Sequence, residues 1–289
     1  MNFDKLYEGH FTGERALFMT RSAKILNSLF DSGESPLKES ADLYIDSCRF
    51  GWKYPIWYSE NVYVKNTEFY STARSGIWYT DNITLDGCKS AAPKTFRRCR
   101  GVRLVNCDFE NAAETLWNCR DIEIDSCRFV GDYLGMNCEN VRVDSLTLDG
   151  NYLFDGGKNI KITNSRLISK DAFWNAENVV VKNCYIEGEY LGWNSKNVIF
   201  ENCVIESDQG LCYMDGVTLV GCTLNNTPLA FEFSRVDAQV LSHIDSIKNP
   251  ASGRIIAPSV GEIIHEDGVV DKSATRIITE KIGAENRNI

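Results

Sequence analysis

The pattern of apolar and polar residues repeats along the chain with a period of about 19 residues. Residues 177–195 read ENVVVKNCYIEGEYLGWNS, and residues 196–214 read KNVIFENCVIESDQGLCYM. Both copies share the frame Asn-Val-x-(Val/Phe)-x-Asn-Cys-x-Ile, in which apolar and polar positions alternate as in a β-strand. A repeat this short is typical of a stacked array, in which each unit packs only against its neighbours.

The frame extends over most of the chain, because its first apolar residue recurs at steps of 19 to 21 residues. This residue is Ala23, Leu43, Val62, Ile83, Val102, Ile122, Val141, Ile160, Val179, Val198, Val217 and Val236. A unit of this length holds three short strands and three bends, which is one coil of a parallel β-helix with coils stacked about 4.8 Å apart. The sequence therefore predicts an all-β fold, a single-stranded right-handed parallel β-helix of about 12 coils.

The regularity of the frame divides the chain into three parts. Residues 1–15 precede the first coil and are predicted to form an N-terminal cap over its open end. Regular coils are expected over residues 16–235. The Asn-rich signature is absent after that point, so residues 236–289 are predicted to form degenerate coils and a C-terminal cap.

Cysteine recurs at two positions of the coil, and both are predicted to face the core. In the second of these columns, Cys99, Cys119 and Cys138 stand where other coils have Ser, Thr or Ala. A position that exchanges Cys for other small residues selects volume rather than a thiolate, and the chain contains no Cys-x-x-Cys pair. We therefore expect packed thiols, no metal site and no cofactor.

Composition narrows the setting of the protein. The 289 residues carry a net charge of −9 with a pI near 5.0, which argues against a nucleic-acid partner and an anionic membrane. No apolar run reaches membrane-spanning length, and the first residues lack the apolar core of a signal peptide. Eleven cysteines without such a peptide indicate a reducing compartment, so a cytoplasmic location is expected.

One column of the repeat gathers five of the six tryptophans, five residues before the first apolar position. Its members are Phe18, Lys38, Trp57, Trp78, Arg97, Trp117, Met136, Asp155, Trp174, Trp193, Cys212 and Phe231. Consecutive strand residues face opposite sides, and the preceding column is uncharged throughout, so the tryptophan column is predicted to face outward.

Such a column suggests a ligand surface. Trp57, Trp78, Trp117, Trp174 and Trp193 offer flat apolar faces and N–H donors, which suit an elongated oligosaccharide or a similar amphipathic ligand. Lys38 and Arg97 favour an acidic sugar, since each adds a cation to the column. The alternative is a non-enzymatic scaffold in which the aromatic strip is covered by a cap segment, a loop or a second copy of the chain.

A reaction is a further hypothesis. The candidate catalytic residues are Asp155, Arg97 and Lys38, in an enzyme similar to a polysaccharide lyase or a glycoside hydrolase. A glycosidase needs two carboxyl groups about 5 to 9 Å apart, whereas Asp155 is the only acid of the column. A lyase needs a cation and a base, and Lys38 and Arg97 lie about three coils apart.

Three stretches outside the regular frame carry a resemblance: GERALF (residues 13–18), GESPLKES (33–40) and WKYPIWY (52–58). Together with the coils that follow, they resemble an uncharacterised bacterial family of right-handed β-helix proteins. That resemblance covers almost the whole chain and implies the fold and cytoplasmic residence, with no reaction to carry over. More distantly, the coils resemble the pectin lyase-like enzymes that bind polysaccharide along one outer sheet, although their catalytic motifs are absent here.

Overall fold

The computed structural model describes residues 3–279, and the chain falls into two compact units, residues 1–150 and 151–289. The first unit contains the strands β1 (Lys5–Thr12), β2 (Arg21–Asp31), β3 (Ala41–Asp46), β4 (Arg49–Phe50), β5 (Ile56–Trp57), β6 (Glu60–Lys65), β7 (Glu68–Phe69), β8 (Ile77–Trp78), β9 (Asp81–Asp86), β10 (Lys89–Ser90), β11 (Phe96–Arg97), β12 (Arg100–Val105), β13 (Asp108–Phe109), β14 (Arg120–Asp125), β15 (Arg128–Val130), β16 (Glu139–Asp144) and β17 (Thr147–Asp149).

The second unit contains the strands β18 (Lys158–Thr163), β19 (Arg166–Ile168), β20 (Glu177–Lys182), β21 (Tyr185–Glu187), β22 (Lys196–Glu201), β23 (Val204–Glu206), β24 (Asp215–Asn225), β25 (Arg235–Val240), β26 (Ile244–Lys248), β27 (Ser252–Ala257), β28 (Val260–Ile264) and β29 (Thr275–Thr279), with the 3-10 helix η1 (Lys272–Ala274) before the last strand. Within residues 3–279, no helix is both long enough and apolar enough to cross a membrane.

In the first unit, the longest strand of each coil pairs in parallel with its counterpart in the next coil. The first apolar residues of the frame are direct partners, as in Ala23↔Leu43 and Val102↔Ile122. Short strands such as β4 and β7 form a second parallel series. A third series joins β5, β8 and β11. Stacked parallel strand series joined by turns make up the coils, with the third series confined to three of them, so the parallel β-solenoid prediction is confirmed.

The second unit has the same architecture, with partners such as Val179↔Val198 and Val198↔Val217. Parallel pairing continues past residue 236, because β25 pairs with β27 and β27 with β29. At the other end of the chain, β1 pairs with β2, so residues 5–12 also belong to a coil. The solenoid consequently has about 14 turns rather than the predicted 12. Residues 1–2 and 280–289 of the predicted caps lie outside the described part of the chain.

The inward columns stack like with like. Phe11, Phe30, Phe50 and Phe69 form a continuous ring stack with centroids 4.9 to 5.1 Å apart. All eleven cysteines are buried and none is in a disulfide, as predicted for the ten in the two cysteine columns but not for Cys212, which belongs to the column predicted to face outward. Burial raises the pKa of the Cys138 thiol to about 12, which makes it a poor nucleophile.

The turns depend on left-handed backbone conformations that recur at fixed corners. One corner precedes the first apolar residue and holds Asn159, Asn178 and Asn197, with φ between 52 and 58°. Each amide donates to the one before it, over 3.1 Å from Asn178 to Asn159 and 3.2 Å from Asn197 to Asn178. Asn tolerates this conformation best among residues with a side chain, because its short amide bonds locally.

Replacement of a buried thiol tests the core assignment. Cys184→Asp places a carboxylate in the cysteine column and is expected to lower the free energy of unfolding by about 3 kcal/mol or more. Cys184→Ser is the matched control, because Ser165 already occupies this column one coil earlier, and it should cost clearly less. Urea unfolding measures both variants, and equal losses would contradict the inward assignment.

Replacement of a corner asparagine tests the contribution of the hydrogen bonds between corner amides. Asn178→Ala loses two ladder hydrogen bonds and puts Ala in a left-handed conformation, so the free energy of unfolding should fall by about 1 to 3 kcal/mol. Asn178→Gly loses the same bonds without the conformational strain, and Gly216 stands in this column already. The glycine variant should therefore be the more stable of the two in thermal unfolding. The reverse order would show that backbone strain is not the controlling term.

Candidate functional site

The tryptophan column lies on the outer surface of the first unit, as its chemistry predicts. We call Trp57, Trp78, Arg97 and Trp117 the aromatic ladder. All four side chains are half-buried, whereas the residues that precede them are fully buried: Ile56, Ile77, Phe96 and Leu116. Parallel pairing of Trp57 with Trp78 and of Arg97 with Trp78 and Trp117 fixes their vertical order.

The members of the ladder are stacked face to face. The rings of Trp57 and Trp78 lie 5.2 Å apart with an interplanar angle of 6°. The Arg97 guanidinium continues the stack, with its carbon 4.6 Å from the Trp78 ring and 4.7 Å from the Trp117 ring. A planar cation between two indoles is a cation–π sandwich. The faces therefore cover one another, and the ring edges face outward.

The indole N–H groups are also engaged within the unit. Trp57 donates to the carbonyl of Ser75 over 2.6 Å, Trp78 to Lys94 over 2.9 Å, and Trp117 to Tyr133 over 2.8 Å. These bonds hold each indole flat against the following turn. The expectation of open ring faces and free N–H donors is therefore not met. The faces stack on one another, and the N–H groups bond to backbone carbonyls.

Arg97 is not an open cation. Its side chain is 22% exposed and its Nη2 lies 3.3 Å from Glu114, which also pairs with Lys94 at 3.1 Å. Its Nε is buried and has no hydrogen-bond partner among the described residues. Lys38 stands three coils before Arg97, with its Nζ 5.5 Å from the Tyr58 ring and 3.8 Å from Glu39.

A second column, missed in the sequence, runs beside the ladder. Tyr58 and Tyr79 directly follow Trp57 and Trp78 and stack with centroids 4.8 Å apart at 2°. We call them the tyrosine pair. Tyr58 is 49% exposed, more than any member of the ladder. Among the described residues, neither hydroxyl has a hydrogen-bond partner.

The tyrosine pair occupies corners that other coils give to asparagine. Tyr58 and Tyr79 have φ values of 53 and 55°, and the same column holds Asn118 and Asn137 two and three coils later. A bulky residue in this conformation costs more than Asn. The buried Leu116 and Phe173 adopt it as well, so the surface position of the two rings, and not strain alone, distinguishes the pair. The signal in the sequence is the repeated Ile-Trp-Tyr at residues 56–58 and 77–79.

A groove adjoins the tyrosine pair. Its volume is about 350 Å³, and it is lined by Tyr58 and Tyr79 together with Arg21, Ser40, Ser59, Glu60 and Asp81. Both serine hydroxyls are committed inward, Ser40 to the carbonyl of Leu17 and Ser59 to that of Leu37. The charged groups and the tyrosines are therefore the parts of the groove lining that remain available for further contacts.

The second unit holds the remaining predicted residues. Trp174 and Trp193 are half-buried on the surface with ring centroids 6.2 Å apart. Cys212 and Phe231, which follow them in the predicted column, are fully buried. Tyr213 supplies the next exposed ring instead, 4.3 Å from Trp193.

Carboxyl groups of the second unit surround Trp174. Asp155 accepts a hydrogen bond from the Asn175 amide over 2.9 Å. Asp171 is only 2% exposed, and its Oδ1 has no partner among the described residues. Burial raises the pKa of Asp171 above its usual range, against an opposing hydrogen bond with Tyr152 and the charge of Lys170. Within residues 3–279, no set of three or more His, Cys, Asp or Glu side chains is arranged to hold a metal ion.

The predicted catalytic residues therefore occupy separate environments. Asp155 belongs to the second unit, whereas Lys38 and Arg97 belong to the first. Within the first unit, Arg97 is neutralised by Glu114 and Lys38 contacts the tyrosine pair rather than Arg97. Lys38 and Arg97, which were predicted to serve one catalytic site, thus have different contacts.

The raised pKa of Asp171 gives a stability prediction. Between the usual pKa of Asp, about 3.9, and the raised value, the folded protein binds more protons than the unfolded chain, so stability falls as pH rises. Asp171→Asn lacks this penalty and should gain stability relative to the wild type as pH increases from 4 to 7. Urea unfolding at both pH values measures the difference.

A control for this test is Asp215→Asn, in the same unit. Asp215 is exposed and lies 2.9 Å from Arg235, so its replacement should give no gain at pH 7. A gain of equal size in both variants would mean that burial of Asp171 is not the cause.

The geometry defines the chain as a parallel β-solenoid with an aromatic outer surface. It belongs to the family described as protein of unknown function (DUF3737), whose model matches residues 4–278. The resemblance to an uncharacterised β-helix family is thereby confirmed at the level of family and fold. Among curated proteins, none matches the chain.

Several solved structures share the fold. A surface adhesin of Streptococcus pneumoniae is 11% identical, with 94% of this chain and 91% of that chain covered and a TM-score of 0.39. The A-module of a mannuronan C-5 epimerase of Azotobacter vinelandii is 10% identical, with coverages of 90% and 89% and a TM-score of 0.43. A tailspike protein of E. coli bacteriophage HK620, in complex with pentasaccharide, is 11% identical, with coverages of 91% and 67% and a TM-score of 0.36. The likeness concerns the fold alone.

Proposed function

We propose that the protein binds an elongated saccharide across the aromatic surface of its first unit, defined as the aromatic ladder together with the tyrosine pair. The observation that carries the proposal is the tyrosine pair. Two large rings are held at left-handed corners of the surface, Tyr58 exposed and Tyr79 half-buried, and neither hydroxyl has a partner among the described residues. A purely structural corner would be served better by Asn, which other coils use.

The chemistry of the surface suits sugar recognition through edges and hydroxyls. The rings of the pair are 4.8 Å apart, which is roughly the length of one pyranose unit, so successive sugars meet successive tyrosines. Tyrosine hydroxyls both donate and accept hydrogen bonds, as sugar hydroxyls do. The outward edges of Trp57, Trp78 and Trp117 add an apolar border that excludes water from one side of the ligand.

Binding without turnover is the form of the proposal that these contacts support. In the first unit, Arg97 is paired and stacked, so it cannot move toward a substrate without leaving two indoles and a carboxylate. Asp155 in the second unit remains the candidate catalytic residue for a lyase or glycosidase activity. An assay for new reducing ends during the binding experiment tests that activity. The eleven unpaired buried thiols support a reducing, cytoplasmic setting for this binding.

A second candidate function is a contact between two copies of the chain. It is favoured by the completeness of the ladder, whose faces and N–H groups are satisfied without any ligand. A self-associating strip would then be a scaffold rather than a sugar site. Light scattering distinguishes the two, because the saccharide proposal expects a mass that Trp117→Ala leaves unchanged.

The proposal is tested with Tyr58→Asn and Tyr79→Asn, singly and together. Asn is the preferred residue at these corners, so thermal stability should be kept or increased. Loss of each ring should weaken binding of an oligosaccharide about tenfold, as measured by isothermal titration calorimetry. The expected outcome is a protein that is at least as stable and binds less.

The matched control is Tyr63→Thr, because Tyr63 belongs to another stacked pair, 5.7 Å from Tyr44, and pairs in register with Thr84. Its hydroxyl is bound to Asp86, so this variant should leave binding unchanged. Failure of neutral and acidic oligosaccharides alike to bind the wild type, with a dimer that Trp117→Ala dissociates, would refute saccharide binding in favour of the interface.

A further inference from the structure

Two arginines that are neighbours in the sequence have opposite environments. Arg97 is stacked between indoles and paired with Glu114. Arg98 is exposed, has a φ of 52°, and takes part in no ion pair among the described residues. Its guanidinium carbon lies 5.9 Å from the Tyr79 ring. The open cation of this surface is therefore Arg98.

Arg98 follows the tyrosine pair in the same column, one coil after Tyr79. Lys38, from the neighbouring tryptophan column, places its cation against the Tyr58 ring, and Arg98 places its own against the Tyr79 ring, so each ring of the stacked pair meets one cation. The two ends differ, because Lys38 has Glu39 at 3.8 Å whereas Arg98 has no acidic partner in residues 3–279. An anionic group on a ligand therefore finds an uncompensated charge at only one end of the pair.

The groove beside the tyrosine pair is acidic, in contrast to the positively charged end of the pair at Arg98. Glu60 and Asp81 are direct partners in the parallel pairing of β6 with β9, and both line the groove and are exposed. Neither forms an ion pair within the described part of the chain. Two carboxylates on adjacent coils repel an anion and accept hydrogen bonds from hydroxyl groups. Arg21 is the one cation that lines the groove, and it donates to the backbone carbonyls of Thr20 and Glu39.

We infer that Arg98 is the specificity-determining residue of the aromatic surface, and that the ligand is a carboxylate-bearing saccharide. The carboxylate of one sugar meets Arg98, while hydroxyls of a neighbouring sugar face Glu60 and Asp81. This inference rests on the proposed saccharide binding and adds the chemical class and the direction of the ligand. It transfers the preference for an acidic sugar from Arg97, which is neutralised, to its neighbour.

The test uses two probes of equal length, a galacturonic acid tetrasaccharide and a galactose tetrasaccharide, titrated calorimetrically into the full chain. Arg98→Gln should raise the Kd of the acidic probe by roughly tenfold to a hundredfold, the range expected for one charge-assisted hydrogen bond. The Kd of the neutral probe should change less than about twofold, since Gln keeps a polar group at the corner.

Two further variants keep the test independent of folding losses. Arg103→Gln removes an equal charge from the same coil, where Arg103 is exposed and 3.0 Å from Glu123, and should leave both probes unchanged. Glu60→Gln combined with Asp81→Asn removes the repulsion from the groove and should tighten the acidic probe by roughly threefold at low salt. A gain of affinity cannot come from misfolding.

The outcomes separate the two proposals. Equal binding of both probes by the wild type, with no selective effect of Arg98→Gln, overturns the inference and leaves saccharide binding standing. Loss of both probes to the same extent in Arg98→Gln also overturns it, because the residue would then act on the whole surface. Absence of binding by either probe overturns the proposed function and the inference together.

Discussion

The fold depends on the left-handed corner, which recurs at fixed places in coil after coil. A chain of L-residues avoids this conformation, at about 1 to 2 kcal/mol per residue. The solenoid needs it because a flat coil has to turn sharply while every backbone N–H still reaches a carbonyl one coil away. At Asn178 the conflict is resolved by an amide that bonds to the coils on both sides. Where no Asn is present, the corner holds another small residue, such as Gly101 with φ of 68° or Asp121 with φ of 56°.

Stacking in register also decides what the outer surface can do. Each column places one residue per coil at the spacing of parallel strands, so flat side chains in one column cover one another. This is why Trp57 and Trp78 present edges to solvent and why a planar guanidinium, that of Arg97, replaces an indole without interrupting the ladder. The ladder is best understood as a rigid support. The neighbouring corner column, which holds the exposed Tyr58, is the part that we propose meets a ligand.

The sequence predicted the repeat well, because the repeat is a local pattern. The first apolar residue of the frame is paired as expected in both units, for example in Ala23↔Leu43 of the first and Val217↔Val236 of the second. The coil formed by β1 was not predicted, because residues 5–12 lack the Asn corners that mark the frame, whereas β27 falls within the degenerate coils expected after residue 236. The pairing of Arg97 with Glu114 and the burial of Cys212 were also missed. Both depend on side-chain contacts between coils, which periodicity does not encode.

The tyrosine pair shows how a repeat protein makes a local surface without changing its fold. Replacing Asn by Tyr at a corner introduces backbone strain and removes the two hydrogen bonds of the side-chain amide. It moves no strand, since the neighbouring coils hold the turn in place. The cost is partly offset by the stacking of Tyr58 on Tyr79 and by the cations at the two ends. Because adjacent positions on a corner share a column, a second substitution benefits from the first. A pair of rings therefore stabilises itself where a single ring would not, and this favours surfaces that extend over several coils, as an elongated ligand requires.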